Sequence, residues 1–372
     1  MKFVIVTHVI HKQEQNQYFA YAPYIREMNI WSKYTDELII VAPIQKTEIT
    51  AIDCSYNLNE IEFVPINQIS LLGAKAILNA IDNTPKIIWQ IFKTMRQADH
   101  IHLRCPGNIG LLGSLVQILF PRKPKTAKYA GNWDPKSKQP WSYRLQKWIL
   151  CNAFLTRNMQ VLVYGQWEGS THNIKPFFTA TYSEADKMPA KLLDLRGRIH
   201  FVFVGTLVFG KNPLYAIQLV EGLIKKGYDV SLDLYGEGIE RKFLEEYIAV
   251  NALEKSVVLH GNQNQETIKS AYQNSHFVIL PSKSEGWPKV IAEGMFWGCV
   301  PVATSVSCVP FMLDNGNRGL LLQMNLEQDI EQLETVLGSE IVFESKRQKA
   351  LDWSQYYTLD IFEAEIKKIL MP

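Results

Sequence analysis

Short runs of apolar, β-branched residues alternate along the first half of the chain with stretches that repeat apolar residues at helical spacing. The short runs predict buried strands, and the longer periodic stretches predict helices. The predicted strands are Lys2–Thr7, Glu37–Ala42, His100–Leu103, Thr126–Tyr129 and Gln160–Tyr164, the last of this half, and the predicted helices are Tyr18–Tyr34 and Gly110–Phe120. This alternation predicts a mostly parallel sheet with helices on both faces.

The same rhythm returns after a polar segment, SEADKMPAKLLDLRGR, that lacks strand character. The predicted strands are Ile199–Val204, Val230–Tyr235, Ser256–Leu259, Phe277–Leu280, Val300–Ala303 and Gly319–Leu322, and the predicted helices are Pro213–Lys226, Glu240–Leu253, Glu266–Asn274 and Lys289–Trp297. We therefore predict an α/β protein with two doubly wound, Rossmann-like domains facing each other across a cleft. The domains span residues 1–185 and 199–352, joined by a linker at 186–198 and followed by a C-terminal helix over 353–372.

The composition is that of a globular protein, with 47% hydrophobic and 20% charged residues over 372 positions. Five cysteines without a C-x-x-C pair predict reduced thiols and argue against a zinc site or a disulfide framework. The chain contains no apolar run of the roughly 18 residues that would span a membrane. Its start, MKFVIVTHVIHK, lacks a small-residue cleavage site and is interpreted as a first strand, so we expect a cytoplasmic protein.

Charge is divided unequally between the two halves. Residues 1–185 carry 20 Lys and Arg against 13 Asp and Glu, a net charge of +7, whereas residues 186–372 carry 19 against 24, a net charge of −5. A basic half joined to an acidic half predicts different partners for the two domains.

The densest chemical signal is LPSKSEGWPKVIAEGMFWGCVPVAT, which begins at Leu280. A predicted strand ends there, a loop of Pro, Ser and Gly follows, and a helix starts near Pro288, since proline suits the first helical turn. The N–H groups and dipole of a helix N-terminus favour an anion such as a diphosphate. Glu285 precedes this helix and Glu293 lies inside it, so the two carboxylates can accept hydrogen bonds from sugar hydroxyls on either side of a diphosphate. The alternative is an acidic surface loop followed by a solvated helix.

The spacing of Glu285 and Glu293 resembles the E-x7-E signature of retaining GT-B glycosyltransferases, family four in particular. The resemblance implies that Glu285 contacts the donor sugar, with a catalytic role, and that Glu293 contacts the ribose. It also implies that the backbone amides of the segment from Trp287 to Val290 hold the diphosphate. The donor-binding residues implied in this loop and helix start are Gly286, Trp287, Pro288, Lys289 and Val290. The following GCVPVAT resembles the strand G-x-P-V-V-A-S, but Ser307 and Cys308 replace the glycine pair usual in the family's donor loop.

The segment FVGTLVFGKNP, from Phe203 to Pro213, resembles the family segment V-G-R-L-x-x-x-K-G, whose basic pair neutralises the departing phosphates. Lys211 matches the lysine and is the second residue with an implied catalytic role, and Gly205 matches the glycine. Thr206 stands in place of the arginine, so half of the usual phosphate clamp has to come from elsewhere.

Weaker matches follow in order along the chain. The turn YGEG at Tyr235 resembles a family G-x-G turn, although close helix–strand packing explains it equally well. The segment LHGN resembles the one that lines the nucleoside base, which makes His260 and Asn262 donor-side candidates. The stretch from Trp353, WSQYYTLDIFEAEIKKIL, resembles the long final helix that crosses back onto the first domain in this fold.

The first domain would bind the acceptor, and here the chain departs from the family. The usual glycine pair of the first loop is replaced by HVIHK, which makes His8 and His11 candidates. The usual active-site histidine is replaced by YAGNWDP, which makes Asn132 and Asp134 candidates. A retaining transfer needs less from a general base if the departing phosphate oxygen itself accepts the acceptor's proton.

Further acceptor-side candidates come from DHIHLRCPGN, at the end of another predicted strand, where ligand-binding loops of such sheets gather. His102 and Arg104 are candidates to face the cleft, whereas His100 is interpreted as a structural histidine. Between Arg122 and Trp148 lie eight basic residues and one acidic residue, interleaved with tryptophans. This composition suits an anionic membrane surface and a lipid-linked acceptor, and a solvated basic face over core tryptophans is the alternative.

The resemblance therefore implies a hexosyltransferase that moves a sugar from a UDP- or GDP-sugar to a saccharide acceptor, free or lipid-linked, in surface polysaccharide or lipopolysaccharide assembly. We expect no cofactor, no metal requirement and no nucleic-acid partner, and we expect the cytosol or the inner face of the membrane as its location. Two alternatives are a nucleotide-sugar epimerase of the same fold and a catalytically weak nucleotide-sugar-binding subunit of a glycosylation complex. The absence of G-x-G-x-x-G after the first strand argues against a nicotinamide enzyme.

Overall fold

The computed structural model describes residues 1–50, 52–58, 60–69, 74–191 and 193–371. The described chain divides into two compact units, the first containing Met1–Phe177 with the segment from Glu363 onward and the second containing Phe178–Phe362. Leu192 of the predicted linker and Pro372 of the predicted C-terminal helix lie outside the described residues.

The first unit is built on a parallel sheet. Its strands are β1 Lys2–Val6, β2 Lys12–Glu14, β3 Gln17–Tyr21, β4 Glu37–Pro43, β5 Asp53–Ser55, β6 Ile61–Ile66, β7 His100–Cys105, β8 Lys125–Tyr129, β9 Met159–Tyr164 and β10 Ile174–Phe177. The parallel strands lie in the order β10-β9-β8-β7-β1-β4-β6, which confirms the predicted sheet type. The prediction that Gln160–Tyr164 is the last strand of this half is wrong, because β10 pairs with β9 at the sheet edge.

The helices of the first unit are α1 Ala22–Ser32, α2 Ala74–Gln97, α3 Asn108–Val116 and α4 Trp141–Cys151, with a short 3-10 turn at Gln117–Leu119. α2 packs against α3 and α3 against α4, so these helices lie side by side on one face of the sheet. Their inward side chains, such as Ile91 and Leu150, join β1 and β7 in a common core. The sequence interpretation did not include α2, which carries Pro85 in its interior.

The predicted helix over Tyr18–Tyr34 is partly wrong, because the chain is extended from Gln17 to Tyr21 and helical only from Ala22. β3 pairs antiparallel with β2 and β5 in a small separate sheet. Tyr18 stacks on Phe63, with ring centroids 4.5 Å apart. This stacking contact joins the small sheet to β6 of the main sheet and favours the extended conformation over the weak helical periodicity of this stretch.

The second unit confirms the strands predicted for it, with bounds shifted by a residue or two. They are β11 Ile199–Val204, β12 Val230–Tyr235, β13 Val257–Gly261, β14 Phe277–Leu280, β15 Val300–Thr304 and β16 Leu320–Leu322. They form a parallel sheet in the order β13-β12-β11-β14-β15-β16. The strand order reverses at β11, whose neighbours are β12 and β14. Ligands of open α/β sheets bind beyond the carboxyl ends of the strands at such a reversal.

The remaining helices are α5 Pro213–Lys225, α6 Arg241–Val250, α7 Gln265–Gln273, α8 Lys289–Phe296, α9 Val309–Met312, α10 Leu326–Leu337, α11 Glu340–Gln355 and α12 Leu359–Leu370, with 3-10 turns at Glu184–Asp186 and Asp314–Gly316. The single helix predicted from Trp353 is wrong, since α11 ends at Gln355 and α12 begins at Leu359. Thr358 separates them because its hydroxyl accepts a hydrogen bond from Ile361 N at 3.3 Å, which starts a new helix. No helix in the described ranges is long and apolar enough to cross a membrane.

Candidate functional site

The loop between β14 and α8 carries Glu285, and an ion pair ties it to the loop after β11. Lys211 Nζ donates a hydrogen bond to Glu285 Oε1 at 2.5 Å. The Glu285 side chain is only 8% exposed, whereas that of Lys211 is 31% exposed. The structure therefore brings together the two residues with implied catalytic roles, at the carboxyl ends of neighbouring strands on the reversal in strand order.

Backbone contacts hold the β14–α8 loop on both sides. Lys283 N donates to Gly210 O at 2.9 Å, which joins it to the loop of Lys211. On the other side, the Gly286 carbonyl accepts from Ser307 Oγ at 3.2 Å and from Cys308 Sγ at 3.1 Å. The Ser-Cys pair that replaces the family's glycines thus anchors the loop of Glu285.

Aromatic side chains pack at the start of α8. Trp287 is buried and stacks on Trp353, with ring centroids 6.0 Å apart. Pro288 is buried and its carbonyl accepts from Ile291 N at 3.0 Å, while Lys289 and Val290 are half-buried first residues of the helix. The predicted helix start is confirmed, and its first N–H groups lie where an α-helix leaves donors for a ligand.

Ser282, which sequence reasoning did not single out, lies in the same loop. Its hydroxyl is fully buried and has no hydrogen-bond partner within the described part of the chain. Its carbonyl accepts a hydrogen bond from the buried Thr304 hydroxyl, which fixes the end of β14 against β15. The only sequence signal was its position as the first serine of the S-x-S-E-G loop.

Glu293 lies on α8 but makes its contacts away from the Lys211–Glu285 pair. Its Oε1 accepts from Thr181 Oγ1 at 2.7 Å, and its Oε2 accepts from the Tyr272 hydroxyl at 3.3 Å. Burial and the nearby Glu293 carboxylate raise the pKa of Tyr272 and keep its phenol protonated as a donor. Thr181 and Tyr272 were missed because no local motif links residues so distant in sequence.

Gly205 and the YGEG turn pack backbone on backbone. Gly205 N donates to Tyr235 O at 2.9 Å. A side chain at Gly236, whose φ is +141°, would overlap the Gly205 carbonyl oxygen, and one at Gly238 would overlap the Leu207 carbonyl. Close packing therefore explains these glycines, and it leaves the exposed Thr206 at the surface of the loop that carries Lys211.

His260 lies on the outer surface at the end of β13. Its Nε2 lies 2.6 Å from Asp233 Oδ1, and its ring stacks on Tyr235 at a centroid distance of 4.6 Å. The exposed Asn262 follows after Gly261. Asp233 and Tyr235 are two positions apart on β12, so their side chains lie on the same face of the sheet. The sequence therefore identifies Asp233 as a partner of His260 only when His260 is known to lie next to β12.

Three of the acceptor-side candidates lie in the interior of the first unit. His11 is buried between Val9 O at 2.9 Å and the Tyr56 hydroxyl at 2.8 Å, and burial lowers its pKa to about 4. His102 is buried under Trp31 and lies 2.8 Å from Thr126 Oγ1, and burial holds its pKa well below the usual value. These contacts give both histidines a packing role in the unit.

Arg104 is also buried, in a charge cluster that sequence reasoning missed. It binds Glu27 through two hydrogen bonds, of 2.6 and 3.2 Å, and Lys128 Nζ lies 3.0 Å from the same carboxylate. Burial alone would raise the pKa of Glu27, but the two cations outweigh it and hold that pKa well below its usual range. Glu27 gave no signal because it lies on a helix without a recognisable motif.

His8, Asn132 and Asp134 lie in loops beyond the carboxyl ends of β1 and β8. His8 is exposed next to Gly107, and partial desolvation together with the Arg104 charge lowers its pKa. Asn132 Oδ1 accepts from Asp134 N at 2.8 Å, and Asp134 Oδ1 accepts from Lys136 N at 2.8 Å, so both side chains stabilise their own turns. A cavity of about 310 Å³ adjoins this loop, with Trp167 and Arg144 in its lining.

Solved structures with the same architecture extend over the whole chain. The structure of Anabaena Alr3699/HepE in complex with UDP and glucose matches with a TM-score of 0.67 and 16% identity, covering 100% of this chain and 99% of that one. The apo form of the lipopolysaccharide outer core galactosyltransferase WaaB matches with a TM-score of 0.69 and 14% identity, covering 100% and 99%. The predicted fold class is confirmed: this is a GT-B protein with two Rossmann-like units.

Sequence comparison defines the class of enzyme. Residues 185–351 match the family described as glycosyl transferases group 1. Protein CapJ of Staphylococcus aureus is 23% identical over 293 residues, which cover 74% of this chain and 72% of CapJ. The protein is a glycosyltransferase, as the sequence predicted. The E-x7-E roles, the retaining mechanism and the narrower family assignment stay predictions.

No group of three or more His, Cys, Asp or Glu side chains among the described residues could hold a metal ion. Whether the reaction needs a metal stays a prediction.

Proposed function

We propose that this glycosyltransferase moves a hexose from a nucleoside diphosphate sugar to a saccharide acceptor with retention of anomeric configuration. The observation that carries the proposal is the 2.5 Å ion pair between Lys211 and Glu285 at the reversal in strand order. Lys211 supplies a cation for the leaving diphosphate, and Glu285 supplies a carboxylate for sugar hydroxyls. Both lie near the start of α8, where the helix N-terminus favours a phosphate group.

The roles divide along the donor. Lys211 and the first N–H groups of α8 bind the diphosphate, and Glu285 accepts hydrogen bonds from the donor sugar. Glu293 binds the ribose by exchanging its bonds to Thr181 and Tyr272 for hydroxyls of the nucleotide. The buried, unpartnered Ser282 hydroxyl in the described loop is an additional donor or acceptor for the ligand.

In the reaction, the bond between the anomeric carbon and the diphosphate oxygen breaks, and the acceptor hydroxyl bonds to the same face of that carbon. The departing phosphate oxygen takes the acceptor's proton, so the diphosphate leaves with its negative charge stabilised by Lys211 and the helix. Fixed charges that meet developing charge in this way are a major source of enzymatic rate enhancement. We propose that the step needs no metal ion, and activity that survives a chelator would support this.

UDP is the first nucleotide to test, because the neighbouring HepE structure contains UDP and glucose. GDP-sugars are the second choice. For the acceptor we propose a saccharide of surface polysaccharide or lipopolysaccharide synthesis, free or lipid-linked, at the cytoplasmic face of the membrane. The similarity to the outer core galactosyltransferase WaaB supports this class of acceptor.

The experiment is a thermal-shift screen of UDP-, GDP-, ADP-, dTDP- and CMP-sugars and their free nucleotides. A ligand at about 100 times its Kd adds about 2.7 kcal/mol to the free energy of unfolding, which the screen detects. We expect one nucleotide to give a shift that Glu293→Ala loses and the exposed-site control Glu245→Ala keeps. No shift with any nucleotide at saturating concentration would overturn the donor assignment. Donor interconversion without an acceptor would instead identify an epimerase.

A further inference from the structure

The helix layer of the first unit presents a large apolar surface to solvent. Each of the helices α2, α3 and α4 buries one side against the sheet. In α2, the buried side consists of Ile87, Ile91 and Met95. Successive residues of an α-helix are about 100° apart, so Trp89, two positions after Ile87, points to the opposite side. We call the opposite side of this layer the outer helix face. Its exposed apolar residues are Ile88, Trp89, Leu115, Leu119, Trp141, Leu145, Trp148 and, from the next loop, Phe154.

The centre of the outer helix face is a stripe along α4. Trp141, Leu145 and Trp148 follow one another at the i, i+4, i+7 spacing that places side chains in one row. Trp141 is 65% exposed and Trp148 is 61% exposed. An amphipathic helix normally turns its apolar stripe towards the core. α4 buries Ile149 and Leu150 in that way and carries this additional stripe on its solvent side.

The exposed residues are connected and not scattered. Gln117 Nε2 donates to Leu155 O at 3.1 Å, which holds the loop of Phe154 against the end of α3. On the other side, the Phe92 ring lies 5.8 Å from Trp89 and 5.4 Å from Phe120 and links α2 to the segment after α3. Isolated surface apolar residues are ordinary, but a connected patch of this kind marks an interaction surface.

The segment that contains α4 is strongly basic. The segment from 115 to 158 contains nine Lys and Arg residues and one acidic residue, Asp134. Its exposed cations are Arg122, Lys136, Lys138, Arg144 and Arg157, and α2 adds the exposed Lys93 and Arg96. Three residues of the same basic and tryptophan-rich stretch are buried and do not contribute to the exposed surface: Trp133, Lys125 and Lys128.

We propose that the outer helix face lies on the surface of an anionic lipid bilayer. Tryptophan rings favour the headgroup level of a membrane, and clustered Lys and Arg are attracted by anionic lipids. A second copy of this chain fits less well, because a symmetric contact would bring two positive rims together. The inference rests on the membrane setting included in the proposed function, but it uses none of the donor-site residues.

Flotation of the purified full chain with vesicles tests the proposal. Vesicles of phosphatidylglycerol and phosphatidylcholine in equal parts are compared with vesicles of phosphatidylcholine alone. We expect the wild type to partition roughly tenfold or more in favour of the anionic vesicles and to lose this preference at high salt. The double variant Trp141→Ala/Trp148→Ala should lower the partition coefficient roughly tenfold, since binding scales with buried apolar area.

The matched control is Phe243→Ala/Val250→Ala, which removes two exposed apolar residues at the same spacing from α6 of the second unit. It should bind vesicles like the wild type. Failure of the wild type to float, or an unchanged partition in the Trp141/Trp148 variant, would overturn the proposal. A wild-type dimer in sedimentation that Trp141→Ala/Trp148→Ala abolishes would also overturn the proposal, because a second copy of the chain would then occupy the outer helix face.

The nucleotide thermal shift is measured on the same preparations. An unchanged shift in the tryptophan variant shows that the protein is folded and attributes lost flotation to the outer helix face. Flotation of a wild-type protein that binds no nucleotide would support this inference and overturn the donor assignment alone.

Discussion

Lys211 Nζ and Glu285 Oε1 lie 2.5 Å apart and join the loops that follow β11 and β14. The two groups are 74 positions apart in sequence and meet because their strands are neighbours in the parallel sheet. Each charge satisfies the other. In the proposed donor site, a diphosphate sugar would exchange this contact for its own phosphates and hydroxyls, which would couple donor binding to the ion pair.

The first prediction concerns Glu285. Replacement Glu285→Gln keeps the size of the side chain but removes the charge that would strengthen the proposed hydrogen bonds to the donor sugar. We expect kcat/KM to fall about tenfold to a hundredfold, the equivalent of one charge-assisted hydrogen bond. The measurement is steady-state transfer with the nucleotide sugar found in the screen. Glu245→Gln, on the surface of α6, is the control, and wild-type turnover in Glu285→Gln would remove Glu285 from the donor site.

Lys211→Ala should act on the diphosphate itself. We expect the affinity for the free nucleoside diphosphate, measured by calorimetry, to fall about tenfold to a hundredfold. The loss should shrink as salt is added, because screening weakens the contribution of a partly exposed charge. Lys242→Ala removes an exposed lysine of α6 and should change nothing. Equal affinity of Lys211→Ala and wild type would contradict the assignment.

Glu27→Gln tests the buried cluster with Arg104 and Lys128. Removing the carboxylate leaves two buried cations without their partner, and we expect a loss of about 3–5 kcal/mol in the free energy of unfolding at neutral pH. The folded pKa of Glu27 lies below its unfolded value. Its contribution is therefore complete above about pH 4.3 and is lost as the pH falls through the folded pKa.

The difference between wild type and Glu27→Gln should accordingly shrink as the pH is lowered from neutral to below about 4. Urea unfolding of both proteins across this range is the measurement, with the exposed Glu62→Gln as a control. A difference that does not vary with pH would show that packing, and not ionisation, accounts for the effect.

Gly236→Ala tests the close approach of two loops. The added methyl group would overlap the Gly205 carbonyl oxygen and would need a positive φ, so we expect about 1–3 kcal/mol of destabilisation. The shifted Gly205 loop carries Lys211, and nucleotide affinity should fall as well. Gly197→Ala, where the new methyl group meets open space, is the control. A variant with wild-type stability and affinity would refute the argument from backbone packing.

Local pattern predicted the second unit well. β14 and β15 are buried at every position and are nearly continuous apolar runs because both of their faces are covered, and such runs are recognisable without tertiary information. β12 instead alternates buried apolar residues with half-buried ones, which is also a recognisable strand pattern. β6 escaped prediction because its residues Ile61–Ile66 are only partly buried and mix apolar with charged positions. The break between α11 and α12 was missed because the apolar spacing continues across Thr358 and masks the local cap, in which Ile361 N donates to the Thr358 hydroxyl.

The candidate site shows the same division. Motif and spacing located Glu285, Lys211 and the start of α8, because these residues act from loops next to predictable strands. The hydrogen-bond partners of Glu293 and of Arg104 could not be predicted from the sequence, because they come from segments that only the folded chain brings together. The burial of His102 agrees with its place inside the predicted strand His100–Leu103, whereas that of His11 could not be predicted because it follows the first strand in a segment that also suits a ligand-binding loop.

The cluster of Glu27, Arg104 and Lys128 also constrains how this chain can vary over evolution. Lys128 Nζ lies 5.6 Å from the centre of the Tyr164 ring and 5.3 Å from that of Phe177, which accommodates the second cation beside a single carboxylate. Glu27 cannot become neutral alone without leaving two uncompensated interior cations, whereas loss of either cation still leaves one carboxylate–cation pair. Loss of Glu27 should therefore be accepted only together with loss of Arg104 and Lys128, and position 27 should covary with these two positions among sequences that share this fold.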